Sequence, residues 1–137
     1  MSQKKQRILV VDDDIGTVLK FPWEEALDAC EFEYAFALDG MEGLRKLLEV
    51  TDNPFDALVT DLRMPGSIDG IELIRQIGRR KIQLKAVHLY TSYRRNNKGP
   101  LTDEVCAKVE AQGATIWFKD LDVIERIAKR LKEQLQA

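Results

Sequence analysis

Asp56-Ala57-Leu58-Val59-Thr60-Asp61-Leu62-Arg63-Met64-Pro65-Gly66 runs apolar for the length of a strand, stops at a carboxylate, and then meets Pro and Gly. An apolar run of this length between turn signals predicts a strand buried on both faces, as in a parallel sheet. Pro65-Gly66 ends it and forces a loop. Asp61 therefore falls at the carboxyl end of a central strand, the edge where open α/β sheets place their ligands. Taken singly, an Asp at a strand end is more often a turn cap than a site. Its meaning depends on what the other strands bring to the same edge.

Upstream, Ile8-Leu9-Val10-Val11 is a second strand-like run, and it closes on Asp12-Asp13-Asp14. Three adjacent carboxylates repel one another and form strands poorly, so they call for a compensating cation or water. Asp14 is assigned as a helix N-cap, which leaves Asp12 and Asp13 for other work. A helix over residues 17–30 would carry Val18, Phe21, Ala26, Leu27 and Cys30 on its apolar face. Pro22 is its misfit, because inside a helix it removes a hydrogen bond at a cost of roughly 3 kcal/mol. Either the helix kinks there or its first turns are irregular.

The rest of the chain repeats the alternation. Residues 33–38 read as a strand, Asp39-Gly40 as its turn, and Met41, Leu44, Leu47 and Leu48 as a helix ending near Val50. Beyond the opening stretch, Ile71, Leu73, Ile74 and Ile77 mark a helix closing near residues 78–80. Ala86-Val87-His88-Leu89-Tyr90 is a strand capped by Thr91-Ser92. A polar loop over 93–100 leads to a helix over 102–112, stopped by Gly113. Residues 114–118 form a strand ending at Lys119. A last helix, capped by Asp120 or Asp122, buries Val123, Ile124, Ile127, Leu131 and Leu135.

Five strands alternating with five helices predict an α/β fold, a doubly wound parallel sheet with helices on both faces. Right-handed crossovers then place every strand's carboxyl end on one edge. Four of those ends carry useful chemistry: Asp12-Asp13, Asp61, Thr91-Ser92 and Lys119.

Composition narrows the classes. A chain of 137 residues is expected to be one domain, 1–137, with 45% apolar and 32% charged residues, ordinary for a globular protein. A net charge of −2 argues against direct nucleic-acid binding. Arg79-Arg80-Lys81 and Arg94-Arg95-Lys98 read as a solvated helix end and a solvated loop. Cys30, Cys106 and His88 lack the spacing of a zinc site. The basic start Met1-Ser2-Gln3-Lys4-Lys5-Gln6-Arg7 precedes too short an apolar run for a signal peptide, and no run reaches membrane-spanning length. A cytoplasmic location with reduced thiols is expected.

Three carboxylates on one edge make a hard-oxygen site suited to Mg²⁺, which keeps several waters and pairs with phosphate oxygens. A Thr91 hydroxyl and the Lys119 ammonium add a donor and a positive charge for phosphoryl oxygens. The nucleophile would be a carboxylate, forming an aspartyl phosphate. Asp61 is the candidate, standing alone on the central strand while Asp12 and Asp13 hold metal.

On these residues the chain resembles a receiver domain of two-component response regulators over essentially its whole length. Ile8 to Asp14 resembles the family's first strand and acidic pair, and Asp39-Gly40-Met41-Glu42-Gly43-Leu44 the stretch opening its second helix. Asp56 to Gly66 with Asp69-Gly70 resembles the phosphoacceptor strand and loop; Thr91 matches the switch Thr and Lys119 the family's Lys. The resemblance implies a flavodoxin-like strand order, 2-1-3-4-5. It implies phosphotransfer to Asp61 from a histidine kinase or phosphotransfer protein. Mg²⁺ would be bound by Asp13, Asp61 and the Arg63 carbonyl, with Asp12 assisting through water. Such a domain is a phosphoacceptor that hydrolyses its own phosphoryl group slowly, and with no output domain expected it would signal by contact with a downstream protein.

The sequence departs from the family at four places. Ser67-Ile68 lengthens the loop before Asp69-Gly70 by one residue, and the loop after Thr91 is longer by several. Asp120 follows Lys119 where the family has Pro and a cis peptide. Ile116 stands where the family carries a switch aromatic, so Tyr90 or Tyr93 becomes the candidate for that readout. Bulky Arg63 and Tyr93 would shield the phosphoryl group from water. Two other readings compete. A haloacid dehalogenase-type phosphohydrolase is suggested by Asp12-Asp13-Asp14-Ile15-Gly16-Thr17, although Ile15 breaks its spacing and Asp61 would have no role. A pseudo-receiver used only for protein docking is suggested by Ile116 and the long loop.

Overall fold

Five parallel strands, β1 (Arg7–Val11), β2 (Glu33–Ala37), β3 (Ala57–Asp61), β4 (Ala86–Thr91) and β5 (Ala114–Phe118), form one sheet in the order β2-β1-β3-β4-β5 in the computed structural model. This is the doubly wound, flavodoxin-like arrangement expected. The structure describes residues 5–136; Met1 to Lys4 of the basic start, and Ala137, lie outside them. Five helices alternate with the strands: α1 (Lys20–Ala29), α2 (Gly40–Leu48), α3 (Gly70–Arg80), α4 (Asp103–Ala111) and α5 (Val123–Leu135). Among the described residues, no helix is long and apolar enough to cross a membrane.

Strand alternation sorts the core into two layers. Ile8, Val10, Val59 and Tyr90 face α1 and α5, where they meet Trp23, Leu27, Ile127 and Leu131. Leu9, Val11, Leu58 and Leu89 face α2, α3 and α4. Every residue of β3 is buried, as its uninterrupted apolar run predicts.

The first helix corrects the sequence reading. Asp14 is not the cap. A short 3₁₀ helix, Asp13–Gly16, follows β1, and the Asp12 carboxylate caps it by accepting from the Asp14 amide at 2.9 Å. The α-helix proper begins only at Lys20, so Pro22 lies in its first turn, where a missing N–H has no intrahelical partner to lose. The irregular start is thus realised and no interior hydrogen bond is forfeited. The late start also moves the buried face: Trp23 and Leu27 point inward, while Val18 and Phe21 are exposed.

The other helices start as their sequences suggest. Asp39 and Asp69 each accept from the amide three residues on, Glu42 and Glu72, both at 2.8 Å. Asp122 is the cap position of α5, in the left-handed region at φ 64° and without a side-chain cap bond. Residues 93–98 are exposed, as expected of a solvated loop, yet the loop is anchored. Leu101 at its end is fully buried, Asn96 makes a turn by accepting from the Lys98 amide, and Arg94 and Arg95 pair with Asp120 and Glu110.

His88, fully buried on β4, accepts from the Trp117 indole N–H at Nδ1 (2.8 Å). An indole N–H only donates, so the imidazole proton sits on Nε2 and points to Gln134 Oε1, also 2.8 Å away. Burial holds the imidazole below its usual pKa of 6.5, and Arg130 acts in the same sense. Below about pH 6.5 the unfolded chain takes up a proton that the folded chain refuses, so stability falls with pH in that window. Urea midpoints at pH 7.5 and 5.5 should separate more in the parent chain than in His88→Gln; equal separations would refute this.

Candidate functional site

Three of the four strand ends that the sequence singles out meet directly. Carboxylate oxygens of Asp12, Asp13 and Asp61 lie within 4.8 Å of one another, with Asp12 and Asp61 buried and Asp13 exposed at the rim. Lys119 Nζ stands 3.5 Å from Asp12 Oδ2 and 3.3 Å from Asp61 Oδ2. Thr91 is joined to the cluster through the backbone, since its carbonyl accepts from the Lys119 amide at 2.9 Å. The Thr91 hydroxyl is buried and accepts from the Tyr93 amide.

The charges do not balance. Three carboxylates against one ammonium leave two negative charges. Two carboxylates at the cluster's spacing repel by about 3 kcal/mol in a medium of effective dielectric near 20. Burial pushes the Asp61 carboxyl up to about 6, with Asp12 adding to the rise; Lys119 and the Leu62 amide, which donates to Oδ1 at 2.8 Å, pull it down. Asp13 is also raised, by burial first and then by Asp14 and Asp12. A residual charge of minus two on hard oxygens, half of it at the rim, fits a small divalent cation that keeps part of its water.

Glycine fixes the geometry at Asp61. Gly70 opens α3 directly against the end of β3, and its amide donates to Leu62 O at 2.8 Å. A Cβ on Gly70 would stand 2.1 Å from the Asp61 carbonyl oxygen. Gly40 is similar, because a Cβ there would stand 2.2 Å from the carbonyl of Ile68. Of the pair that lengthens the loop, Ser67 is exposed, but Ile68 is buried against α2. Ser67 and Ile68 also share a cleft of about 680 Å³ with Arg63 and with Pro100 of the long loop, so the two extended loops meet.

The remaining expectations divide. Arg63 is exposed and its guanidinium lies 5.5 Å over the Tyr93 ring, so the two proposed shields touch. Ile116 packs among the residues facing α4, and Trp117 faces the opposite layer. Among the described residues no peptide bond is cis. Tyr90 was a candidate only for readout, yet its hydroxyl donates to Asp12 Oδ2 and accepts from the Trp23 indole at 3.2 Å. Sequence reasoning missed that partnership. The one local signal is that Tyr90 shares a face with His88, toward α1 and α5.

The comparisons agree with this geometry. The family model of the response regulator receiver domain matches residues 8–112. The transcriptional regulatory protein PrrA of Mycobacterium tuberculosis is 41% identical over 68 residues, which are 50% of this chain and 27% of that protein. The chain thus spans about a quarter of that relative's length. Among solved structures, a CheY-like receiver domain from Methanospirillum hungatei superposes with a TM-score of 0.71 at 24% identity, covering 97% of this chain and 98% of that one. The CheY of a CheX–CheY–BeF3–Mg²⁺ complex from Borrelia burgdorferi gives 0.69 at 22% identity, covering 93% and 87%. Family match, strand order and the acidic edge coincide, and this chain belongs to the response regulator receiver domain family.

Proposed function

We propose that the protein is a phosphoacceptor switch that takes a phosphoryl group on Asp61 from a histidine kinase or phosphotransfer protein. The observation that carries this reading is the cluster of Asp12, Asp13 and Asp61 with Lys119 within 3.5 Å of the two buried members. Asp61 Oδ2 attacks phosphorus, the bond to the donor's nitrogen or acyl oxygen breaks, and that atom leaves with the electron pair. Lys119 stabilises charge on the equatorial oxygens, and Thr91 donates to one of them. Asp13, Asp61 and the Arg63 carbonyl would hold Mg²⁺, with Asp12 outside the direct ligands. Bound there, the ion supplies the positive charge that the carboxylates lack and neutralises the transferring group.

Asp12 is a poor nucleophile by comparison. Its Oδ1 accepts from the Asp14 amide and its Oδ2 from Tyr90 and Lys119, so its lone pairs are largely engaged. This disfavours the phosphohydrolase reading, and the complete acidic set disfavours a pure docking module. Incubation with acetyl phosphate and Mg²⁺ should give one acid-labile phosphoryl group per chain, lost when EDTA is present. Steady turnover of p-nitrophenyl phosphate, or no labelling at all, would sink the proposal.

Arg63 and Tyr93 lean together beside the site, and this supports slow self-hydrolysis. Shortening both to Ala should speed loss of the label severalfold without lowering the initial yield. An unchanged decay rate means that they do not exclude the attacking water.

A further inference from the structure

We propose that Tyr90 is a positioning residue for the acidic site, and that its hydroxyl carries metal occupancy at that site to Trp23 in helix α1. The inference rests on the reading of Asp12, Asp13 and Asp61 as a cation site, and deepens it.

Tyr90 touches the site at two points. Its hydroxyl donates to Asp12 Oδ2, and the Lys119 ammonium lies 4.6 Å from the centre of its ring. The same hydroxyl accepts from Trp23 Nε1 at 3.2 Å, and the two rings meet edge to face with centroids 5.6 Å apart. Both aromatic residues are fully buried, so no water competes for these bonds. The chain of contacts is therefore continuous from the Asp12 carboxylate through one phenol oxygen to one indole N–H.

A phenol hydroxyl has one proton to give. While that proton is on Asp12, the carboxylate is held in one orientation and its Oδ2 is shared with Lys119. A cation at the cluster draws on the electron density of Asp12, directly or through water. The Tyr90 O–H bond then polarises less toward Asp12, and the oxygen becomes a weaker acceptor for Trp23 in step. Position 116 offers no such route, because Ile116 has no polar atom and packs toward α4. Tyr93 is exposed and its ring faces Arg63 instead. The aromatic link from the site to the helical layer thus runs toward α1, on the face opposite α4.

The test uses the whole chain and Mg²⁺ alone. The chain has two tryptophans, so its ¹H–¹⁵N spectrum shows two indole signals, assigned with Trp23→Phe. Adding Mg²⁺ should shift the Trp23 signal with the same midpoint that calorimetry gives for binding. Tyr90→Phe keeps the ring and removes the hydroxyl. In it the Trp23 shift should vanish, and Mg²⁺ binding should weaken severalfold, because the carboxylate that meets the ion through water loses the partner that orients it. Trp23→Phe perturbs the same packing but leaves the Tyr90–Asp12 bond, so its loss of Mg²⁺ affinity should be clearly smaller than that of Tyr90→Phe. A merely structural Tyr90 predicts unchanged affinity in Tyr90→Phe, and that result overturns the proposal. So does a Trp23 signal indifferent to Mg²⁺ in a parent chain that binds it, a result open even if Tyr90→Phe fails to fold. Absence of any Mg²⁺ binding by the parent chain overturns the reading of the site itself.

Discussion

Replacing Asp61 with Asn should abolish acid-labile labelling by acetyl phosphate and Mg²⁺ while making the metal-free protein more stable. The first half follows from chemistry, because an amide oxygen is no nucleophile toward phosphorus, Asp12 is engaged by three donors and Asp13 is read as a metal ligand. The second half follows from burial. The Asp61 carboxyl is raised to about 6 by desolvation and by Asp12, so the folded state holds its proton more tightly than the unfolded chain does. Between about pH 4 and pH 6 the unfolded chain ionises while folded Asp61 resists, and folding becomes less favourable as pH rises; above that window the full cost is present. At pH 7.5 the substitution should therefore stabilise by about 2 kcal/mol, after allowing for an Asn that pairs less well with Lys119. The gain should shrink toward pH 4. Urea unfolding without metal reads both values. A variant less stable than the parent at pH 7.5 would show that the carboxylate belongs to the fold and not to the chemistry.

Gly70→Ala should be among the most damaging single substitutions outside the acidic cluster. The new methyl would stand 2.1 Å from the Asp61 carbonyl oxygen and 2.9 Å from Leu89 Cδ1. Neither neighbour yields cheaply: one is the backbone of the central strand, the other a fully buried core side chain. Overpacking against flexible groups costs roughly 1–3 kcal/mol, and a clash with backbone belongs at or above the top of that range. The expected loss is about 3 kcal/mol, or roughly 10 °C in Tm. Because relief requires α3 or the end of β3 to move, Asp61 shifts relative to Lys119 and labelling should fall as well. Gly113→Ala is the control. Gly113 has φ +89° but no atom within 4 Å of a new Cβ, so only backbone strain of about 1 kcal/mol applies and the site is untouched. Equal losses in the two variants would remove the close approach at Gly70 as a cause.

Much of the site was legible because its parts are local signals. Apolar runs that stop at Asp12-Asp13, Asp61, Thr91 and Lys119 can be read without knowing what lies opposite them. The α/β alternation then fixes which edge they share, since right-handed crossovers leave one choice. The first helix was less legible. Periodicity placed Val18 and Phe21 inside, but the cap at Asp12 and the Pro22 in the first turn delayed the helix and turned both residues to solvent. The anchors of the lengthened loops were not legible either. Ile68 and Leu101 are buried, which local polarity around them concealed.

What the sequence by itself determined is the set of groups delivered to the sheet edge, because strand length, turn chemistry and alternation are set by near neighbours in the chain. What only the tertiary structure decided is which atoms those groups engage. Asp12 meets Tyr90 at a separation of 78 positions and Lys119 at 107. Such pairings depend on strand register and on which face a side chain leaves from, quantities that are fixed only when the whole sheet packs. Asp61 became a phosphoacceptor candidate from its place at the end of a run. Its carboxyl near 6 and its ammonium at 3.3 Å come from burial and from Asp12 and Lys119, remote in sequence and gathered as the two helical layers close.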